Sequence, residues 1–219
     1  MISPNPTSVE VFLVDDEKDV TDALAWLLDS VKIRSRAFSS ASAFLEALGR
    51  FDGAACAVVD LRMPEMSALE MQNRILEAGY DLPLIFLTAH GDVPAAVNAM
   101  QAGATDFIQK PFNPDKFLAS VQRAMRLAGE RYARREVDLK IRRLIEQLSA
   151  REQEVLHGLL DGRTSKEIAV VLDISPKTVD VHRANVMKKM SVTSSAELIR
   201  LIGPNAVRSF RVSRTENQQ

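Results

Sequence analysis

Cysteine is all but missing from these 219 residues: Cys56 stands alone. A single thiol excludes an intrachain disulfide and any cysteine-based zinc site, and inside the Ala54–Val59 run it reads as a small core residue. Long apolar stretches are absent too. No run approaches the roughly 18 residues that cross a bilayer. The start, Met1-Ile2-Ser3-Pro4-Asn5-Pro6, has neither the basic cluster nor the apolar stretch of a secretory signal. A cytoplasmic protein without a membrane partner is the expectation. Histidine is scarce, at three residues. With no other His or Cys at metal spacing, His182 reads as a structural hydrogen bonder. Low-complexity tracts and internal repeats are also absent. What is present is 46% hydrophobic residues, which rules out general disorder, over a length that suits two modest domains or one large one.

The net charge of -1 conceals an asymmetry. Residues 1–125 hold 10 Lys+Arg against 17 Asp+Glu, and residues 126–219 hold 18 against 12. An acidic front half joined to a basic back half suits a cation-binding module followed by one that approaches a polyanion, although solubility alone could also produce it.

Strand-like and helical patterns alternate five times through the front half: Val9–Val14, Asp19–Ser30, Arg34–Phe38, Ala41–Leu48, Ala55–Asp60, Ser67–Ala78, Leu82–Thr88, Pro94–Ala102, Thr105–Ile108 and Pro114–Met125. Short connections and crossover helices predict an α/β fold, a doubly wound, flavodoxin-like parallel sheet with helices on both faces. Gly49, Gly53, Gly79, Gly91 and Gly103 punctuate the elements. The expected division is a first domain over 9–126, a helical linker over 127–148, an all-α domain over 149–202 and a flexible tail over 203–219. In the linker, Val137, Ile141, Leu144 and Leu148 form one apolar stripe, which either pairs two subunits or docks on a neighbouring domain. Ser149 with Glu152, and Thr164 with Glu167, have capping-box spacing before apolar runs. Ser175-Pro176 opens a third helix, and Ser194 or Ser195 a fourth.

Chemistry concentrates where the apolar runs of the front half end: Asp15-Asp16, Asp60, Thr88 and Lys110. The carboxyl edge of an open α/β sheet is where ligands bind. Carboxylates converging there repel one another unless a hard cation sits among them, and Mg²⁺ suits such oxygen ligands while leaving positions for phosphate oxygens. Asp60 is the candidate nucleophile for an acyl phosphate, Asp15 and Asp16 the metal ligands, Lys110 a point charge for the phosphoryl group and Thr88 a hydroxyl donor. Phe107 is either a switch residue that fills space vacated by Thr88, or an ordinary core aromatic.

Val14-Asp15-Asp16, Asp60-Leu-Arg-Met-Pro64, Thr88-Ala-His-Gly-Asp92 and Phe107-Ile-Gln-Lys110-Pro111-Phe112 resemble the receiver domain of two-component response regulators. Gly162–Ala169 and Ile174–His182 resemble the NarL/LuxR-type helix-turn-helix. Together they are similar to the FixJ-type subgroup, over nearly everything from Val9 to Ile202. The resemblance implies that Asp60 accepts a phosphoryl group from a partner histidine kinase, with Mg²⁺ held by Asp16, Asp60, the main-chain carbonyl of Arg62 and, through water, Asp15. It implies a homodimer formed on phosphorylation through the face containing Pro94–Ala102 and Thr105–Ile108. It also implies binding to double-stranded promoter DNA and to RNA polymerase, with activation favoured over repression. Glu65 and Ala68 stand where the family usually has glycine, in the loop after the acceptor.

In the back half, Thr164–Leu172 and Ser175–Met190 form the two helices of the motif, joined by Asp173-Ile174, and the second would enter a major groove. Val179, Val186 and Met190 line one face of it. The candidate DNA-contacting residues are Lys177, Thr178, Asp180, Val181, Arg183, Ala184, Asn185 and Lys188. Asp180 replaces a lysine common in the wider family and would repel backbone phosphate. A regulator rather than an enzyme is expected, because a phosphatase with an aspartyl nucleophile needs a second aspartate two residues on, where this chain has Arg62. The intact acidic pair, Asp60 and Lys110 argue against a degenerate receiver that only binds partners.

Overall fold

The computed structural model describes residues 9–64, 66–88, 100–101 and 103–203, in two units divided between Ala133 and Arg134. In the first, β1 (Glu10–Val14), β2 (Ser35–Phe38), β3 (Ala55–Asp60), β4 (Leu84–Thr88) and β5 (Asp106–Gln109) form one parallel sheet in the order β2-β1-β3-β4-β5. Between the strands lie α1 (Lys18–Ser30), α2 (Ala41–Gly49) and α3 (Ala68–Glu77). This is the doubly wound, flavodoxin-like layout. The helix expected over Pro94–Ala102 lies outside the described residues except for its helical positions 100–101. Glu65, Gly91 and the basic tail with Arg208, Arg211 and Arg214 also lie outside them.

Every residue of β3 is buried, because helices cover both faces of a parallel sheet. Side chains alternate along each strand, so neighbours enter different cores. Phe12, Val14, Ala57, Val59 and Phe86 pack with Phe44 and Met71 on one side. Val11, Leu13, Cys56, Val58, Ile85 and Leu87 pack with Leu24, Leu28 and Phe117 on the other. Burial pushes the Cys56 thiol up to about 12, so it packs as a core residue. Ala68 opens α3 directly after the cap Ser67, whose Oγ accepts from Glu70 N at 3.2 Å.

Helix α4 runs unbroken over Pro114–Glu146, and the division between the units falls inside it. Asn113 Oδ1 caps its start, accepting from Asp115 N at 2.7 Å. The apolar stripe of its second half is resolved residue by residue. Ile141, Ile145 and Leu148 are buried in the core of the second unit and Leu144 packs against it, while Val137 is 53% exposed. Residues assigned to the linker from sequence thus build the C-terminal core.

The second unit continues with α5 (Ala150–Leu160), α6 (Ser165–Leu172), α7 (Pro176–Lys189) and a helical run, α8, over 195–203. Both expected capping boxes form, Ser149 with Glu152 and Thr164 with Glu167. Asp173 takes the left-handed conformation that ends α6, at φ 52°. Gly158 lets α5 approach α6, since a Cβ there would meet Ile168 Cγ1 at 2.6 Å. No helix among the described residues is long and apolar enough to cross a membrane.

Candidate functional site

Sheet register brings the front-half residues together. Val14 lies beside Val59, so Asp15 and Asp60 leave adjacent strands side by side. Asp60 is level with Leu87 and Thr88 with Gln109, which sets Thr88 and Lys110 at the same carboxyl edge. Lys110 N donates to Thr88 O at 2.6 Å, and the Lys110–Pro111 peptide is cis. The chain order reverses between β1 and β3, and the crevice of a doubly wound sheet opens there.

Lys110 Nζ donates at 2.8 Å to Asp15 Oδ2 and at 2.8 Å to Asp60 Oδ1. The remaining oxygens are engaged as well: Asp15 Oδ1 accepts from Glu17 N at 3.0 Å and Asp60 Oδ2 from Arg62 N at 2.8 Å. Asp15 is 2% exposed and Asp60 8%. Burial lowers the pKa of the Lys110 ammonium, but the hydrogen bonds and charges of Asp15 and Asp60 outweigh it and hold the pKa above the ordinary lysine value. Thr88 is buried, and its Oγ1 has no hydrogen-bond partner among the described residues. A buried hydroxyl without a partner costs free energy until one arrives. Phe107 is half-buried against the Phe12 core, and Asp16 is exposed.

Among the described residues no three or more His, Cys, Asp or Glu side chains are arranged to hold a metal ion. An ammonium, not a third carboxylate, completes the buried pair. Two buried carboxylates turned toward one positive group are nonetheless hard oxygen donors suited to Mg²⁺, and Asp16, next in the chain to Asp15, is exposed. The residues present fit the ion.

In the second unit, α7 buries Val179, Val186 and Met190 and exposes Lys177, Thr178, Asp180, Val181, Ala184, Asn185 and Lys188. Two of the candidate contact residues have internal duties. Thr178 Oγ1 lies 2.8 Å from the capping Ser175 Oγ, and half-buried Arg183 donates to Ser195 Oγ at 2.9 Å, tying α7 to the start of α8. His182 departs from expectation: its Nδ1 is buried with no hydrogen-bond partner among the described residues. Sequence reading missed Lys189, whose Nζ donates to Glu152 Oε2 at 2.6 Å and to Gln147 O at 3.2 Å. The capping box marked Glu152, but nothing local marks the lysine 37 positions away.

Comparison with known proteins agrees with both halves. The response regulator receiver domain family matches residues 11–122, and the luxR family of bacterial regulatory proteins matches residues 146–202. The chain is 42% identical over 191 residues to the response regulator protein TmoT of Ectopseudomonas mendocina, covering 87% of this chain and 86% of that protein. It is 40% identical over 195 residues to the transcriptional regulatory protein FixJ of Bradyrhizobium diazoefficiens, covering 89% and 95%. The solved structure of the response regulator StyR superposes with a TM-score of 0.75 at 39% identity, over 89% of this chain and 98% of that one.

Proposed function

This chain belongs to the response regulators that join a receiver domain to a LuxR-type DNA-binding domain, and we propose that it controls transcription through phosphorylation of Asp60. A carboxylate oxygen of Asp60 attacks the phosphorus of a phosphohistidine on a partner kinase. The phosphorus–nitrogen bond breaks, and the imidazole leaves. Asp16, Asp60, the main-chain carbonyl of Arg62 and, through water, Asp15 would hold Mg²⁺, whose charge would offset that of the phosphoryl oxygens. Lys110, already hydrogen-bonded to Asp60, exchanges a carboxylate partner for a phosphoryl oxygen.

The observation that carries this reading is the buried Asp15–Lys110–Asp60 cluster at the switch point of the sheet. Thr88 Oγ1, buried without a partner among the described residues, is a donor that an incoming acceptor would satisfy. Its movement toward phosphorylated Asp60 frees space that Phe107 fills. Shifting a two-state equilibrium from 1:99 to 99:1 takes about 5.5 kcal/mol, whereas one charged hydrogen bond supplies roughly 1.5–3 kcal/mol. Lys110, Thr88 and the metal together, with receiver dimerisation added, reach that figure. Two output domains then read half-sites about 34 Å apart through Lys177, Val181, Ala184, Asn185 and Lys188, favouring recruitment of RNA polymerase. All of this takes place in the cytoplasm.

Labelling with a radioactive phosphodonor and Mg²⁺, followed by DNA binding, tests the proposal. The wild type is expected to take label at Asp60 and bind DNA more tightly. Label retained by Asp60→Asn, or donor-dependent binding unchanged in it, refutes the mechanism.

A further inference from the structure

The outward side of α7 carries one feature that DNA binding in general does not call for, the carboxylate of Asp180. It is exposed and makes no hydrogen bond or ion pair among the described residues, although Lys177 stands one turn before it. Near a duplex such a group is repelled by the phosphates, and burying it without a donor is costly. Binding through this helix therefore requires either that Asp180 stay in water or that it meet a donor.

We propose that Asp180 is a specificity-determining residue that selects cytosine at one position of each half-site by accepting a hydrogen bond from the cytosine N4 amino group. The inference rests on the DNA-binding reading above and deepens it. Core packing fixes the orientation of the helix: Val179 and Val186 are fully buried and Met190 is 1% exposed, so Val181, Ala184 and Lys188 point away from the core. Asp180 flanks that face in the N-terminal half of the helix, the part that meets base edges in a helix-turn-helix. One turn on, Ala184 ends at a methyl group and leaves the approach to the groove open.

The major groove then decides which base pairs tolerate the carboxylate. Guanine offers only the N7 and O6 acceptors and thymine only O4 and a methyl, so both repel it. Adenine offers the N6 amino group with the N7 acceptor beside it. Cytosine presents the N4 amino donor with no acceptor on its own major-groove edge. Val181, 57% exposed beside Asp180, supplies apolar contact suited to a thymine methyl nearby.

Selection from a randomised duplex pool with full-length protein, with and without acetyl phosphate, tests this for the wild type, Asp180→Ala and Asp180→Asn. The wild type is expected to fix cytosine at one position per half-site, preferring it over guanine roughly fivefold to tenfold. Asp180→Ala should lose the preference at that position and keep the others, and Asp180→Asn should shift it to adenine, which asparagine pairs in bidentate fashion. The same preferred bases in all three proteins overturn the proposal. A wild type that enriches no sequence at all overturns the DNA-binding reading beneath it.

Discussion

Lys110 Nζ lies 2.8 Å from Asp60 Oδ1 while holding Asp15 Oδ2 at the same distance, so one ammonium is shared between two buried carboxylates. Removing it leaves both charges uncompensated. Lys110→Ala is expected to lower receiver stability by about 2–4 kcal/mol in metal-free buffer, and Mg²⁺ should recover part of the loss. Because the folded-state pKa of Lys110 is raised, its contribution is complete below the ordinary lysine value of 10.5 and fades as pH climbs past it. Urea denaturation with EDTA and with Mg²⁺ checks this; equal stability of variant and wild type in EDTA would contradict the role given to Lys110.

Thr88 gives a prediction with opposite signs on stability and signalling. Its buried Oγ1 has no hydrogen-bond partner among the described residues, so Thr88→Val, which keeps the shape and removes the hydroxyl, should leave stability unchanged or raise it by about 1 kcal/mol. The same variant should still take label from a phosphodonor yet respond weakly in DNA binding. Thermal denaturation paired with a DNA-binding titration separates the two effects. A full response from Thr88→Val removes the hydroxyl from the switch.

Glu152 joins two elements of the output domain. Its Oε2 accepts from Ser149 N at 2.8 Å and from Lys189 Nζ at 2.6 Å, so the cap of α5 also anchors the last turn of α7. Glu152→Gln is expected to destabilise this domain by about 1–3 kcal/mol. The hydrogen bond from Lys189 and that from Ser149 hold the Glu152 carboxyl below its usual 4.5. A depressed folded-state pKa means the stabilisation is present above 4.5 and lost as pH falls through the folded value. The wild type should therefore lose output-domain stability in that acid range more steeply than Glu152→Gln. Parallel acid titrations would count against the pairing.

These cases mark what the chain discloses locally. Buried parallel strands are contiguous apolar runs, so Asp15, Asp60 and Thr88 could be placed at strand ends by counting along the chain. The boxes at Ser149 and Thr164 each fit within four residues and were legible for the same reason. The Lys110–Asp15 bond spans 95 positions and depends on the order of strands in the sheet, and the Arg183–Ser195 bond depends on how α8 packs. Periodicity reports which face of an element is apolar but not what covers it. The stripe on α4 was therefore visible, while the choice between pairing subunits and docking on a neighbouring domain was not.

That stripe supplies the remaining prediction. Ile145 is 3% exposed in the core shared with Val155, Ile168 and Val186, whereas Val137 is 53% exposed two turns earlier. If residues 141–148 build the output core, Ile145→Ala should cost about 2–4 kcal/mol through lost burial and a cavity, and Val137→Ala should stay within about 0.5 kcal/mol. The two units have separate cores, so the loss should be local. Hydrogen exchange should show reduced protection over α5–α7 in Ile145→Ala and unchanged protection over β1, β3 and β4. Equal effects of the two variants, or exchange that rises first in the sheet, would mean that the end of α4 is a spacer and not a structural part of the DNA-binding domain.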